Sequence, residues 1–258
     1  MNAIKLDIIT VSFNSVNTIG KTLDSIKSQK KYVNSFIVVD GGSSDGTAEI
    51  ISKYMDIVDV FICEPDNGIS DAFNKGILAS KGDFILLLNS DDWLFEGSVA
   101  KLIDMIEFND DLLCTNMLSI DGNNGNVNIC ISKPSRLKIY NSVLHPGLIV
   151  RRDLYREIGL YDLSLTIAMD YDFTLRCYLK KKKFKLINLE LVNFLEGGKS
   201  DDPLKVFMES YRIRRRYLFL AIPLYESIQL GLRTFGMLIK NFGADGLRIR
   251  LKKIILSK

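Results

Sequence analysis

The sequence predicts an α/β fold: a mostly parallel sheet flanked by helices, with a basic amphipathic helical extension at the C-terminal end. Three observations predict it. Apolar, β-rich runs at Leu6–Ser12, 36–39, 57–63 and 84–88 alternate with segments of helical spacing, and such alternation builds right-handed βαβ units. The run 84–88 is apolar throughout and stops abruptly at Asn89-Ser90-Asp91-Asp92, as a parallel strand covered on both faces does. From Pro203 onward the chain turns basic and amphipathic.

Each element has its own signal. Leu6–Ser12 runs into Phe13-Asn14-Ser15, a strand-to-loop signal, and Ser15 or Asn17 is placed to cap a helix carrying Ile19, Leu23 and Ile26. After 36–39 comes Asp40-Gly41-Gly42-Ser43-Ser44-Asp45-Gly46-Thr47. Its glycines permit a tight loop, and Asp45 or Thr47 caps a helix running through Tyr54. A strand over 57–63, a helix over about 69–80 and the strand 84–88 follow. The alternation then breaks down. A helix is expected over 96–108 and a strand over 112–120, then a turn at 121–126 leads into a strand over 127–131. That hairpin makes the sheet mixed. A strand over 148–150, a helix over 153–158 closed by Gly159, a helix from about Asp170 to Leu179 and a strand over 186–195 complete the pattern. One domain over 1–202, with halves at 1–95 and 96–202, and a tail over 203–258 are therefore expected.

The bulk numbers narrow the class. A chain of 258 residues that is 47% hydrophobic and 25% charged can fill a globular core. The four cysteines, Cys63, Cys114, Cys130 and Cys177, have no CxxC spacing and no histidine cluster beside them, which argues against zinc and for reduced thiols in a cytosolic enzyme. The first residues lead straight into a strand-like run, so no signal peptide is expected. The longest uncharged stretch of the tail, 217–225, is far short of the roughly 20 residues a membrane span needs.

Several residues are candidates for chemistry. Ligands of open α/β sheets bind at the carboxyl ends of the strands, where Asp91 and Asp92 stand. Paired carboxylates there suit Mg²⁺ or Mn²⁺ shared with substrate phosphates, although Asp91 could equally cap a following helix. Asp40 could accept hydrogen bonds from a base or ribose, or simply start its turn. Neither GxGxxG after the first strand nor GxxxxGK[ST] is present. His145, the only histidine, lies in a constrained His-Pro-Gly loop and either lines a site or is an ordinary residue. Asp170 falls at a helix N-terminus, where acids also favour the macrodipole. Asp172 and Arg176 form an i,i+4 pair, which leaves Asp170 the better candidate for chemistry. The run Glu196-Gly197-Gly198-Lys199-Ser200 offers amides and an ammonium to a phosphate, or is a linker. Basic residues such as Arg212, Arg214, Arg215, Arg216, Arg233 and Lys240, interleaved with apolar ones, suit an anionic membrane surface. The alternatives are a solvated helical cap, a dimer interface or a nucleic-acid patch.

Together the motifs resemble the inverting family-2 glycosyltransferases of GT-A fold, a Rossmann-like architecture. The closer likeness is to bacterial enzymes of capsule, O-antigen and exopolysaccharide assembly. The matching segments are VSFNS at 11–15, VVDGGSSDGT at 38–47, EPDNGISDAFNKGILASKGD at 64–83, LNSDD at 88–92, HPG at 145–147, MDYDFTLR at 169–176 and EGGKS at 196–200. The resemblance implies a nucleotide-binding half at 1–95 and an acceptor half at 96–202. It puts Ser12 and Asp40 in the nucleoside pocket, with Asp71 and Lys75 near the base, ribose or phosphates. Asp91 and Asp92 stand at a DxD-type metal site, with Asp92 the favoured ligand and Asn89 where many relatives have Asp. It also makes Asp170 the general base, although Met169 stands where the family has Glu. His145 and Asp172 fall on the acceptor side, and Lys199 and Ser200 near the diphosphate. The implied reaction moves a sugar from a nucleotide donor, UDP-linked by mild preference, to a saccharide hydroxyl, with Mg²⁺ or Mn²⁺. The acceptor would be lipid-linked, at the cytoplasmic face of the plasma membrane, and no nucleic acid is involved. Transfer to a polyprenyl phosphate, or a non-catalytic relative that only binds, are the alternatives.

Overall fold

The computed structural model of the chain describes residues 3–122, 125–195 and 202–218. Two compact units divide it, residues 1–198 and 199–258. Within the first, the elements follow in the order β1 Leu6–Ser12, α1 Ile19–Lys27, β2 Ser35–Asp40, α2 Thr47–Ser52, β3 Val60–Cys63, α3 Ile69–Ala79, β4 Phe84–Asn89 and β5 Trp93–Leu94. Then come α4 Ser98–Met105, β6 Leu112–Ile120, β7 Val127–Cys130, β8 Leu148–Arg151, α5 Asp153–Ile158, α6 Met169–Leu179 and β9 Phe184–Leu195.

The strands form one mixed α/β sheet in the order β3-β2-β1-β4-β8-β6-β9-β5, with β7 added on β6. The four-strand core β3-β2-β1-β4 is parallel, and its alternating signal in the sequence explains why. Every residue of β1 is buried, because helices cover both faces of a parallel sheet. The sheet becomes mixed at β4–β8, which is antiparallel, and again at the hairpin β6–β7. The expected halves 1–95 and 96–202 therefore share a single sheet.

Two elements differ from the sequence reading. Ile57 and Val58 are buried but precede β3, which starts at Val60; they plug the core from a turn closed by Ile57 N–H and Val58 N–H on the Tyr54 carbonyl. After Asp92 the chain does not enter a helix. It forms the two-residue strand β5, paired with β9, and α4 begins only after Gly97, whose φ of 70° is one that side-chain-bearing residues rarely adopt.

In the second unit, α7 spans Pro203–Leu218. Asp202 caps it, accepting from the Leu204 and Lys205 amides at 3.1 and 3.0 Å. Among the described residues no helix is long and apolar enough to cross a membrane. The tail beyond Leu218, and the Lys199–Ser200 loop, lie outside the described residues.

Candidate active site

The carboxyl ends of β1, β2 and β4 lie side by side: Ser12 is in register with Asp40, and Val11 with Asn89. The loops leaving them are tied to one another. Asn14, at φ 51°, donates its amide to Ser43 Oγ and accepts from the Ser44 amide. Ser15 N–H donates to Thr47 Oγ1, and Ser90 Oγ to Ser15 Oγ, both at 2.8 Å. Asp45 accepts from Val16 N–H and from Thr47 N–H, closing the turn that leads into α2, whose N-cap is Gly46 and not Asp45 or Thr47. The Thr47 hydroxyl beside it holds its carboxyl below the usual range.

Asp40 does not face outward. It is fully buried; Oδ1 accepts from the Gly42 and Ser43 amides, and Oδ2 from the Ser12 and Ser43 hydroxyls at 2.8 and 2.7 Å. Those four bonds tie the carboxylate to its own loop, so Asp40 and Ser12 hold the glycine loop from beneath. A half-buried carboxylate from the neighbouring 64–68 loop, Asp66, packs over this loop at Gly41. A Cβ on Gly41 would collide with it, so the missing side chain at 41 makes the room Asp66 fills. Its Oδ1 accepts from Gly68 N–H at 2.8 Å.

Asp71 and Lys75, one turn apart on α3, brace the loop at 64–68 that carries Asp66. Asp71 Oδ2 accepts from the Asn67 amide nitrogen and side chain at 3.0 and 3.2 Å. Lys75 Nζ lies 2.8 Å from Glu64 and 3.8 Å from Asp71, and donates to the Pro65 carbonyl at 3.2 Å. Glu64 accordingly pushes the Lys75 ammonium upward in pKa.

At the end of β4 the two aspartates separate by burial. Asp92 is fully buried and Asp91 partly exposed. Asp92 Oδ2 accepts from Asn89 Nδ2 at 3.1 Å. Burial, with the charge of Asp91 beside it, pushes Asp92 up to about 8. Expected as the leading ligand, Asp92 lies beneath the surface, and Asp91 is the carboxylate that reaches it. Helix capping by Asp91 does not apply, since β5 follows. The donor set fits a hard divalent cation: it is all oxygen, and one of its members, Asn89 Oδ1, is buried with no hydrogen-bond partner. Among the described residues no three His, Cys, Asp or Glu side chains converge as a ready cage. Such a cation would need substrate oxygens to complete its shell.

Asp170 opens α6. Its Oδ1 accepts from Tyr171 N–H at 2.7 Å, and its Oδ2 from Asn141 Nδ2 at 3.0 Å. Asn141 was silent in the sequence; only its place at the head of the run to His145-Pro146-Gly147 could have drawn notice. His145 packs against Phe73 and Tyr161, with ring centroids 5.2 and 6.3 Å away. Burial pushes its imidazole below the ordinary value, and the charge of Asp170 opposes that shift. Asp172, expected on the acceptor side, is buried and bonded to Arg176 Nε at 2.8 Å. Arg176 spends its other nitrogens on the carbonyls of Ile158, Gly159 and Leu160. The pair clamps the 158–160 bend to α6 and does not face a ligand. Asn74 of α3 holds the same segment, exchanging two bonds with the Tyr161 backbone at 3.0 Å.

A family model described as glycosyl transferase family 2 matches residues 7–158. A PGL/p-HBAD biosynthesis glycosyltransferase of Mycobacterium tuberculosis is 28% identical over 187 residues, covering 69% of this chain and 71% of that protein. YwdF of Bacillus subtilis, described as an uncharacterized glycosyltransferase, is 26% identical over 182 residues, 67% of each. Among solved structures, S. aureus TarS 1–349 in complex with UDP-GlcNAc superposes with a TM-score of 0.65 at 20% identity, over 81% of this chain and 64% of that one. The full TarS chain is matched over only 39% of its length. The mannosyltransferase PcManGT of Pyrobaculum calidifontis, in complex with GDP-Man and Mn²⁺, gives 0.58 at 15% identity, over 83% of this chain and 61% of its own. These likenesses establish the fold as GT-A.

Proposed function

The chain belongs to glycosyl transferase family 2, and we propose that it moves a sugar from a nucleotide-diphosphate donor to a hydroxyl with inversion, Asp170 acting as the general base. The observation that carries the reading is the setting of Asp170. It heads α6 with one oxygen held by Tyr171 N–H and the other by Asn141, so the carboxylate is oriented before an acceptor arrives. In the reaction the acceptor hydroxyl gives its proton to Asp170 as its oxygen attacks the anomeric carbon, and the diphosphate leaves from the opposite face. A single base and no enzyme nucleophile make one displacement, hence inversion, by analogy with inverting glycosidases.

The donor lies across the ends of β1, β2 and β4. There the loop at 64–68, braced by Asp71 and Lys75, presents Asp66 to the base, and UDP is the favoured nucleotide, as in the UDP-GlcNAc complex of TarS. Asp91, with Asp92 and Asn89 behind it, would hold Mg²⁺ or Mn²⁺, which would neutralise charge on the departing diphosphate as a Lewis acid. A lipid-linked saccharide acceptor, a peripheral position on the cytoplasmic face of the plasma membrane and a role in cell-surface polysaccharide assembly complete the proposal. The basic tail from Pro203 supports these last parts.

The test is release of nucleoside diphosphate from a panel of UDP-, GDP- and dTDP-sugars, with membrane lipid extract as acceptor and with Mn²⁺ or EDTA. Asp170→Asn should lower turnover by about 10²–10⁴-fold while leaving UDP binding intact, and Asp91→Asn should weaken both. Turnover that survives Asp170→Asn would remove Asp170 from the role of base.

A further inference from the structure

Among the described residues, a surface away from Asp170 and the ends of β1, β2 and β4 takes no part in the transfer chemistry. A cleft of about 490 Å³ opens between the segment after β7 and the C-terminal end of α6, lined by Ser135, Lys138, Tyr178, Leu179, Lys181 and Phe184. The two segments that form it are basic. Residues 127–140 carry Lys133, Arg136 and Lys138, residues 178–185 carry Lys180, Lys181, Lys182, Lys183 and Lys185, and neither holds an acid. Lys182 pairs with Glu157, and Lys185 with Glu107 and Asp110. Lys133, Arg136, Lys138 and Lys181 make no ion pair among the described residues.

An aliphatic row borders these charges. Val127, Ile129 and Ile131 alternate along β7 and its continuation, so they share one face, and they are 56%, 61% and 54% exposed. Ile139, beside Lys138, and Leu179, in the cleft wall, are exposed as well. Exposed aliphatics among unpaired lysines match the interfacial zone of a bilayer, which takes the apolar groups into its acyl boundary and the ammonium groups against its phosphates.

The position of this surface relative to Asp170 gives it a use. α6 runs from Met169 to Leu179, so about 14 Å of helix separates Asp170 from the cleft. Tyr171 Oη donates to the Leu137 carbonyl at 2.7 Å, fixing the basic segment to the first turn of α6, and the same segment runs on to Asn141. A saccharide anchored in a bilayer at one end of α6 would present its hydroxyl at the other.

We propose that the surface formed by residues 127–140 and the C-terminal end of α6 seats the domain on an anionic lipid bilayer, as a contact separate from the basic tail. Charge complementarity selects an anionic bilayer, and the aliphatic row, which a polynucleotide would not use, selects lipid over nucleic acid. The test is co-sedimentation of the full chain with vesicles of phosphatidylcholine alone or mixed equally with phosphatidylglycerol, and in parallel retention on polyuridylate. Lys138→Gln with Lys181→Gln should weaken binding to the anionic vesicles by about fivefold per lysine. Ile129→Thr with Ile139→Thr should weaken the binding that survives high salt. Both pairs should keep wild-type thermal unfolding and UDP binding. Vesicle binding unchanged in both pairs would overturn the proposal, leaving the tail as the whole membrane contact. Loss of polyuridylate retention in the lysine pair, with no effect of the threonine pair on vesicles, would overturn it in favour of a polynucleotide. Binding is read without donor or acceptor, so its failure and a failure of the transferase reading are distinguishable.

Discussion

His145 sits against Phe73 and Tyr161 with its Nε2 buried and without a hydrogen-bond partner. Burial therefore holds the folded imidazole below its ordinary value, while the unfolded chain titrates near 6.5. Below that pH the unfolded state binds a proton the folded state refuses, so stability is complete above about 6.5 and lost as pH falls from there toward the folded value, with a slope of at most about 1.4 kcal/mol per pH unit. Urea unfolding across that window should show wild type losing more stability on acidification than His145→Gln, on top of the opposite slope that the buried Asp92 carboxyl, pushed up to about 8, gives to both. An equal slope in both would place the proton uptake elsewhere. The motifs made Ser12, Asp40, Asp91, Asp92, His145 and Asp170 legible as a set, because their order along the chain is specific. Which carboxylate meets solvent was not legible. Asp40 is consumed by its own loop and Asp92 lies under Asp91, and both facts depend on strands far apart in sequence. Asn141 and Asp66 likewise gain their places only from tertiary contacts, with Asp170 and over Gly41.

At the scale of elements, α3 sits close on the sheet because residue 76 is glycine. A Cβ there would overlap Ile9 Cγ2 and come within 3.4 Å of Val39 Cγ2, on the two central strands. Alanine is intrinsically the better helix former by roughly 1 kcal/mol, yet Gly76→Ala should destabilise the protein by about 1–3 kcal/mol through overpacking. A urea midpoint that rises instead would mean α3 can lift off the sheet at no cost. Because α3 carries Asp71, Lys75 and Asn74, the same variant should also weaken UDP binding. The strands β1, β2 and β4 could be read directly, since a buried parallel strand announces itself as a continuous apolar run. Their later partners could not. Nothing local in 148–151 says that β8 runs antiparallel to β4, because periodicity reports burial and is silent on the neighbour.

For the molecule as a whole, the acidic end of β4 is an incomplete cation site that substrate oxygens would finish. Divalent cation and nucleotide should therefore act together. Mn²⁺ alone should leave the melting temperature almost unmoved, whereas Mn²⁺ with UDP at a hundredfold over its Kd should add about 2.7 kcal/mol. For a unit of this size that is a rise of roughly 5–10 °C. An equal rise with Mn²⁺ alone would indicate a cation site made wholly of protein. The pairing of β9 with β5 bears on how the protein comes to exist. Trp93 and Leu94 are held by Asn193 and Val192, and the Phe95 amide by the Leu191 carbonyl at 2.8 Å. A ribosome adding about 5–20 residues per second needs roughly 5–20 s to travel from one partner to the other. Throughout that interval the nascent chain has a finished parallel core and an unbraced acidic edge. Translation that stalls before Leu191 would thus yield a product that looks half folded to the quality-control machinery, its donor-side loops made but its acidic edge not yet pinned by β9.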